Sequence, residues 1–500
     1  MHRHRLLTAG LAMGLLAGAV RAETLGIGDQ APKLEVSHWL KGDPVDLAKV
    51  RGKSIVVVEF WATWCGPCVA AVPHLTELQH KYADKGVIVV GVTSEDPNNT
   101  LERVKAFVSQ RGDDMGYRVA FDKPAKMDRT FMEAAGQTGI PTAFVIDKSG
   151  RVAWIGHPDE GLEKVVAKLV AGTFDIDKAR KTFALQAKIQ EAMYEEQWVQ
   201  VFKLADQYIE VDAEAVAPWL IKMQAHLMLD EPAKALKVAE RAVGAFANSA
   251  ENLSALAGML VISDQDHDHE HQAGEPSGEQ QGAFNKLALA AANKAAVLAP
   301  NDAAVRAGQY AVLTALDRQD EALVVAEQTI GLLKDKGTAL GMFARQLASP
   351  NPKHRCNDLA LRAVDLAIAA QPEEARHLQT KFFILAACKQ NIEAARKIGH
   401  YLLEKASSDA ALLDGFSWSL LTDAPLMGKF NKLALLAAEK SHQLSGGTNW
   451  SFIDTLALAK FENGLVDEAI ELEKKAIQMC PEEGPKRVFA AALERFEGAK

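Results

Sequence analysis

Two cysteines with two residues between them, in Trp64-Cys65-Gly66-Pro67-Cys68, are the side chains of this sequence best suited to covalent chemistry. Thiols at that spacing can attack a disulfide, pass through a mixed disulfide and resolve it. Ile55 to Phe60, just upstream, is an apolar, β-branched run of the kind that is buried on both faces of a parallel sheet. Downstream, Cys68, Val69, Val72, Leu75 and Leu78 recur at helical spacing. A strand therefore feeds a helix through the cysteines. Cys65 falls at the helix N-terminus, where unpaired N–H groups and the positive end of the dipole favour a thiolate, and Cys68 lies one turn further on. Cys-x-x-Cys also opens many zinc sites, but no second Cys-x-x-Cys or Cys/His pair follows at ligand spacing, so no metal is expected. Glu59 sits inside the apolar run. Burial there makes its ionisation costly and its pKa high, which suits a proton shuttle for a buried resolving thiol; the alternative is a strand-end acid that reaches water.

From Gly26 to about Thr173 the pattern alternates strand and helix. Val87 to Val92 reads as a second central strand, Leu101 to Val108 as an amphipathic helix and Tyr117 to Phe121 as a short strand. A helix is expected around Met127 to Ala135. Thr142–Ile146 and Val152–Ile155 form a hairpin around Asp147-Lys148-Ser149-Gly150, and Leu162 to Val170 closes the domain as a helix. Pro141 precedes a core strand, a place for a strand start or for a special turn with a cis bond.

The chain has 500 residues, too many for a single core, and its 48% hydrophobic content allows each of two or more domains a sizeable one. With 56 basic and 65 acidic residues, net charge −9, it carries no basic field to hold nucleic acid. Residues 1–22 have the order of a cleavable signal peptide: a basic start, an apolar run from Leu6 to Val20, and Val20-Arg21-Ala22 before the cut. A periplasmic or otherwise exported location follows, where disulfides are made, reduced and reshuffled. Cys356, Cys388 and Cys480 sit among Ala and Leu and read as buried free thiols; pairing of Cys356 with Cys388 is the alternative.

Phe60-Trp61-Ala62-Thr63-Trp64-Cys65-Gly66-Pro67-Cys68, with Glu59 six residues before the first Cys and Gly139-Ile140-Pro141-Thr142 ahead of a hairpin, resembles the thioredoxin superfamily. Gly28-Asp29-Gln30-Ala31-Pro32 and the extra helix and strand after Val92 make residues 26–173 similar to the TlpA/ResA-like exported thiol-disulfide oxidoreductases. The resemblance implies an α/β thioredoxin-like domain, a mixed sheet flanked by helices. It implies Cys65 as nucleophile, Cys68 as resolving thiol, Glu59 as buried acid/base and Pro141 as a cis-proline beside the disulfide. Trp64, Gly66, Pro67 and Ile140 would line the substrate groove with it. Thioredoxin itself has Asp where this chain has Glu59. Ala62 stands where peroxiredoxins have Thr, which argues against a peroxidase. Gly-Pro between the cysteines points to a protein-disulfide reductase, and the family implies a membrane electron donor of the DsbD or CcdA type.

From about Lys181 the composition turns to Ala, Leu, Lys and Glu with helical periodicity. Small-residue anchors at Val201, Ala235, Ala288, Ala322, Ala360, Ala394, Ala434 and Ala469 are separated by 34, 53, 34, 38, 34, 40 and 35 residues. The long separation exceeds 34 by 19, the length of a polar stretch, residues 264–282, which reads as a flexible insertion containing His267, His269 and His271. Its histidines could hold Zn, Cu or Ni, or be a solvated tract. The 34-residue period resembles the tetratricopeptide repeat (TPR). Residues 182–485 are expected to be an all-α TPR-like solenoid, whose surface would take a protein or peptide partner or serve as a spacer. Thus an exported oxidoreductase with a recruiting platform is expected, acting on protein thiols or disulfides and using no cofactor. Alternatives are a scaffold or assembly factor with a redox-sensing domain, or a thiol oxidase or isomerase.

Overall fold

A computed structural model describes residues 25–261, 278–350, 356–480 and 483–499. The proposed signal peptide, residues 1–22, the His267–His271 run and Pro481 lie outside them. The chain divides into two compact units between Arg180 and Lys181, seven residues beyond the expected end of the first domain.

In the first unit, six strands, β1 (His38–Lys41), β2 (Ile55–Phe60), β3 (Val87–Ser94), β4 (Arg118–Asp122), β5 (Thr142–Ile146) and β6 (Val152–Gly156), form one sheet in the order β1-β4-β3-β2-β5-β6. β2 runs parallel to β3 and antiparallel to β5, so β2 is central and the sheet is mixed, as expected. All six residues of β2 are buried, as their apolar sequence requires, and this drags Glu59 inside with them. Four helices, α1 (Leu47–Val50), α2 (Gly66–Tyr82), α3 (Leu101–Arg111) and α4 (Leu162–Ala171), accompany the sheet. The core gathers Val57, Val89 and Val145 from the sheet with Val72, Leu75 and Leu78 of α2, Val104 of α3 and Val166 of α4. Residues 127–135 are helical, as expected, but not as one regular α-helix. After a cis Lys123–Pro124 bond and the positive φ of Ala125, they form a wide turn, Asp128–Met132, then a tight one, Glu133–Ala135.

The second unit is all helix among the described residues, most helices packing on their neighbours in sequence. The anchors fall on every second helix: Trp198–Val211, Pro232–Ala245, Gly278–Leu298, Gln319–Leu333, Asn357–Ala370, Ile392–Lys405, Asn431–Leu444 and Val466–Met479. Seven are fully buried; Ala394 is not, and Ala395 takes the buried place. The pattern is that of a solenoid, in which small residues let paired helices approach and each pair buries its face on the next.

Two expected boundaries differ. Gly278 to Gly282 belong to a helix rather than to the insertion, because Gln281 and Phe284 turn into the core of that region. A limit at 485 falls inside the helix Glu483–Glu497, whose Phe489 and Phe496 pack on Trp450 and Phe461 and close the end of the unit. Among the described residues Cys356, Cys388 and Cys480 are in no disulfide, and the first and last are buried. Among the described residues no helix is long and apolar enough to cross a membrane.

Candidate active site

Cys65 caps the N-terminus of α2, with Pro67 in the first turn of the helix, where a missing N–H costs nothing. It is bonded to Cys68, S–S 2.01 Å and Cα–Cα 5.3 Å. The Cys68 N–H points at Cys65 Sγ from 3.2 Å. A helix terminus of this kind stabilises a negative charge by about 1 kcal/mol. Cys65 keeps 5% of its surface and Cys68 only 1%, while Trp64, Gly66 and Pro67 beside them are exposed. Burial penalises a thiolate, so it favours charge on Cys65 over Cys68 and adds to the bias of the dipole.

The Ile140–Pro141 bond is cis, at the mouth of β5. The Ile140 carbonyl oxygen lies 3.8 Å from Cys65 Sγ. The Thr142 hydroxyl donates to the Gly139 carbonyl at 2.7 Å and closes this turn. Ile140 is half-buried and Pro141 buried. The sequence-predicted residues Trp64, Cys65, Gly66, Pro67 and Ile140 thus gather at one end of the sheet.

Glu59 is 1% exposed, and among the described residues neither of its carboxylate oxygens has a hydrogen-bond partner. Burial holds its acid well above the usual carboxylate range. In the sheet it pairs with Gly91 of β3 and Ala143 of β5. A Cβ on Gly91 would stand 3.0 Å from Trp61 Nε1 and 3.1 Å from the Tyr117 ring, a tight fit in which the rings would have to give way. Tyr117 is itself buried, and its hydroxyl is held well above its usual pKa, first by desolvation and then by the charge of Glu59. Among the described residues no group of three or more His, Cys, Asp or Glu side chains could hold a metal ion.

One part of the site carries no signal in the sequence. The loop between β3 and α3 reaches back to the cysteine motif: Trp64 Nε1–H donates to Asp96 Oδ2 at 2.8 Å, and Thr63 donates from its N–H and its hydroxyl to Asn99 Oδ1 at 3.0 and 2.8 Å. The partners are more than thirty residues apart, and an Asp or Asn after a strand ordinarily reads as a loop residue.

A family model described as Redoxin matches residues 27–169. The thiol-disulfide oxidoreductase ResA of Bacillus cereus (strain ATCC 10987 / NRS 248) is 35% identical over 162 residues, 30% of this chain and 87% of that protein. Protein FixW of Rhizobium leguminosarum is 30% identical over 157 residues, 31% of this chain and 70% of that protein. A crystal structure of a thiol:disulfide interchange protein, a thioredoxin family protein from Chlorobium tepidum TLS, is 28% identical and covers 28% of this chain and 95% of that one, with a TM-score of 0.24. The relatives leave the helical unit uncovered. The disulfide-linked Cys65 and Cys68, joined to this likeness across most of the ResA sequence, show that through residues 27–169 the chain belongs to the redoxin family and is a ResA-like thiol-disulfide oxidoreductase.

Proposed function

We propose that the protein is an exported reductase of protein disulfides, with Cys65 attacking, Cys68 resolving and Glu59 moving the proton. The observation that carries this reading is the placement of Cys65 as the cap of α2, more exposed than Cys68 and facing the Ile140 carbonyl. The Cys65 thiolate attacks one sulfur of the substrate disulfide, forming a mixed disulfide and releasing the other sulfur as a thiolate. Cys68, its proton taken by the Glu59 carboxylate, attacks Cys65 Sγ and releases the second substrate thiol. Two electrons have passed to the substrate, and the chain is left with the Cys65–Cys68 disulfide seen in the structure. Trp64, Gly66, Pro67, Ile140 and Pro141 line the groove for the substrate segment. Turnover then requires a dithiol donor; for an exported protein a membrane reductase of the DsbD or CcdA type fits.

The order of residues 1–22 supports export, and Gly-Pro between the cysteines supports a reductant. The near-regular anchors support a domain arrangement of 26–173 as redox domain and a TPR-like region from 182 onward that recruits protein partners. Holding a substrate there would raise its effective concentration near Cys65.

The test is a trap. A reduced Cys68→Ser chain, mixed with a small disulfide-bonded protein such as insulin, is expected to accumulate an adduct through Cys65 that dithiothreitol releases. Failure of any adduct to form contradicts Cys65 as the attacking thiol.

A further inference from the structure

We infer that Asn99 is a positioning residue for Cys65, acting through Thr63; the inference rests on the reading of Cys65 as the attacking thiol. Asn99 is fully buried, and every polar group of its side chain is used. Its Oδ1 accepts from Thr63 N–H at 3.0 Å and from the Thr63 hydroxyl at 2.8 Å. Its Nδ2 donates to Thr93 Oγ1 and to the Ser94 carbonyl, both at 2.7 Å. Its own N–H donates to the Asp96 carbonyl at 3.0 Å. One side of the amide is therefore anchored to the end of β3, a central strand. The other holds a residue of the cysteine motif.

Thr63 is a central residue of the turn that delivers Cys65. The Cys65 N–H donates to the Ala62 carbonyl at 3.2 Å across this turn, and the Cys65 carbonyl accepts the Val69 N–H of α2 at 3.0 Å. Within that frame the Cys68 N–H reaches Cys65 Sγ. The stabilisation a helix terminus gives a thiolate falls off within its first turn, so it depends on where the sulfur is held. A turn tied at Thr63 to a rigid strand keeps the sulfur against the N–H groups when the disulfide opens. With the tie removed, Thr63 N–H, Thr93 Oγ1 and the Ser94 carbonyl lose a buried partner and the turn is free to relax. The predicted consequence is a weaker Cys65 nucleophile, not only a weaker fold.

The experiment measures alkylation of the reduced full chain by iodoacetamide between about pH 5 and pH 9, with the modified cysteine located by peptide mass spectrometry. Asn99→Ala is expected to slow Cys65 alkylation near neutral pH by about fivefold and to move the pH midpoint upward. Thr63→Ser, which keeps both donors, is expected to match the unaltered chain, whereas Thr63→Val, which keeps only the N–H, falls between. Should Asn99→Ala fail to fold, the Thr63→Ser and Thr63→Val pair carries the test. An unchanged midpoint and rate in Asn99→Ala, with a lowered melting temperature, overturns the inference and leaves Asn99 a structural residue. Alkylation of Cys68 ahead of Cys65 in the unaltered chain overturns the underlying reading of the nucleophile, an outcome that the location of the label distinguishes from the first.

Discussion

Cys65→Ser is expected to reduce disulfide-reducing activity to the uncatalysed background while leaving both units folded. Serine keeps the size and polarity of the cap, and its oxygen accepts the Cys68 N–H as the sulfur does, so α2 retains its start. What is lost is the thiol whose ionised form attacks sulfur. The fold loses little by comparison. The disulfide closes a loop of sequence separation 3, and a ring that short constrains the unfolded chain by only about 2 kcal/mol. Turnover of a model protein disulfide, with a circular-dichroism melt of the same sample, checks both halves. The result also separates the enzyme from a scaffold: if the helical unit alone carried the function, Cys65→Ser would be silent in the cell.

Glu59→Gln is expected to make the protein slower and more stable. In the proposed mechanism the isosteric amide cannot take the proton of Cys68, and losing a general base costs about 10²-fold or more in the step it serves. Resolution of the mixed disulfide should slow on that scale, while the first attack by Cys65, which needs no such base, should hardly change. In the unaltered chain resolution should rise with pH as Glu59 ionises and level off above its raised pKa; the amide should abolish that inflection. Stability moves the other way. The folded state holds a proton on Glu59 that the unfolded state releases near pH 4, so stability is full below that pH and is lost as pH rises through the folded pKa. Gln carries no such penalty, and Glu59→Gln should melt higher than the unaltered chain above neutral pH and less so in acid. Stopped-flow resolution rates and melts across the pH range test it; a variant with unaltered resolution would remove Glu59 from the mechanism.

Local order was the easiest thing to read from the residues. The β-branched runs from Ile55, Val87 and Thr142 form strands because their side chains fit a sheet buried on both faces, and the helical spacing after Cys68 places α2. Glu59 was legible as a buried acid because its neighbours on the strand are all apolar. At Met127–Ala135 the expected helix is present but its winding changes from wide, Asp128–Met132, to tight, Glu133–Ala135, which residue types alone do not signal. In the helical unit the small-residue spacing put seven anchors in the core, and a one-residue slip at Ala394 shows how weakly a single alanine fixes register among many. The ties from Asn99 to Thr63 and from Asp96 to Trp64, and the fit of Gly91 between Trp61 and Tyr117, depend on tertiary contact between segments far apart in sequence. No local pattern announces them.

The equilibrium reduction potential of the Cys65/Cys68 pair tests most directly whether this protein gives electrons to disulfides. It is titrated on the purified full chain against glutathione or dithiothreitol buffers. The account predicts a value near that of thioredoxin, about −270 mV, at which the dithiol passes its electrons on to protein disulfides. A value near about −120 mV would contradict it and make the same two cysteines an oxidant of thiols.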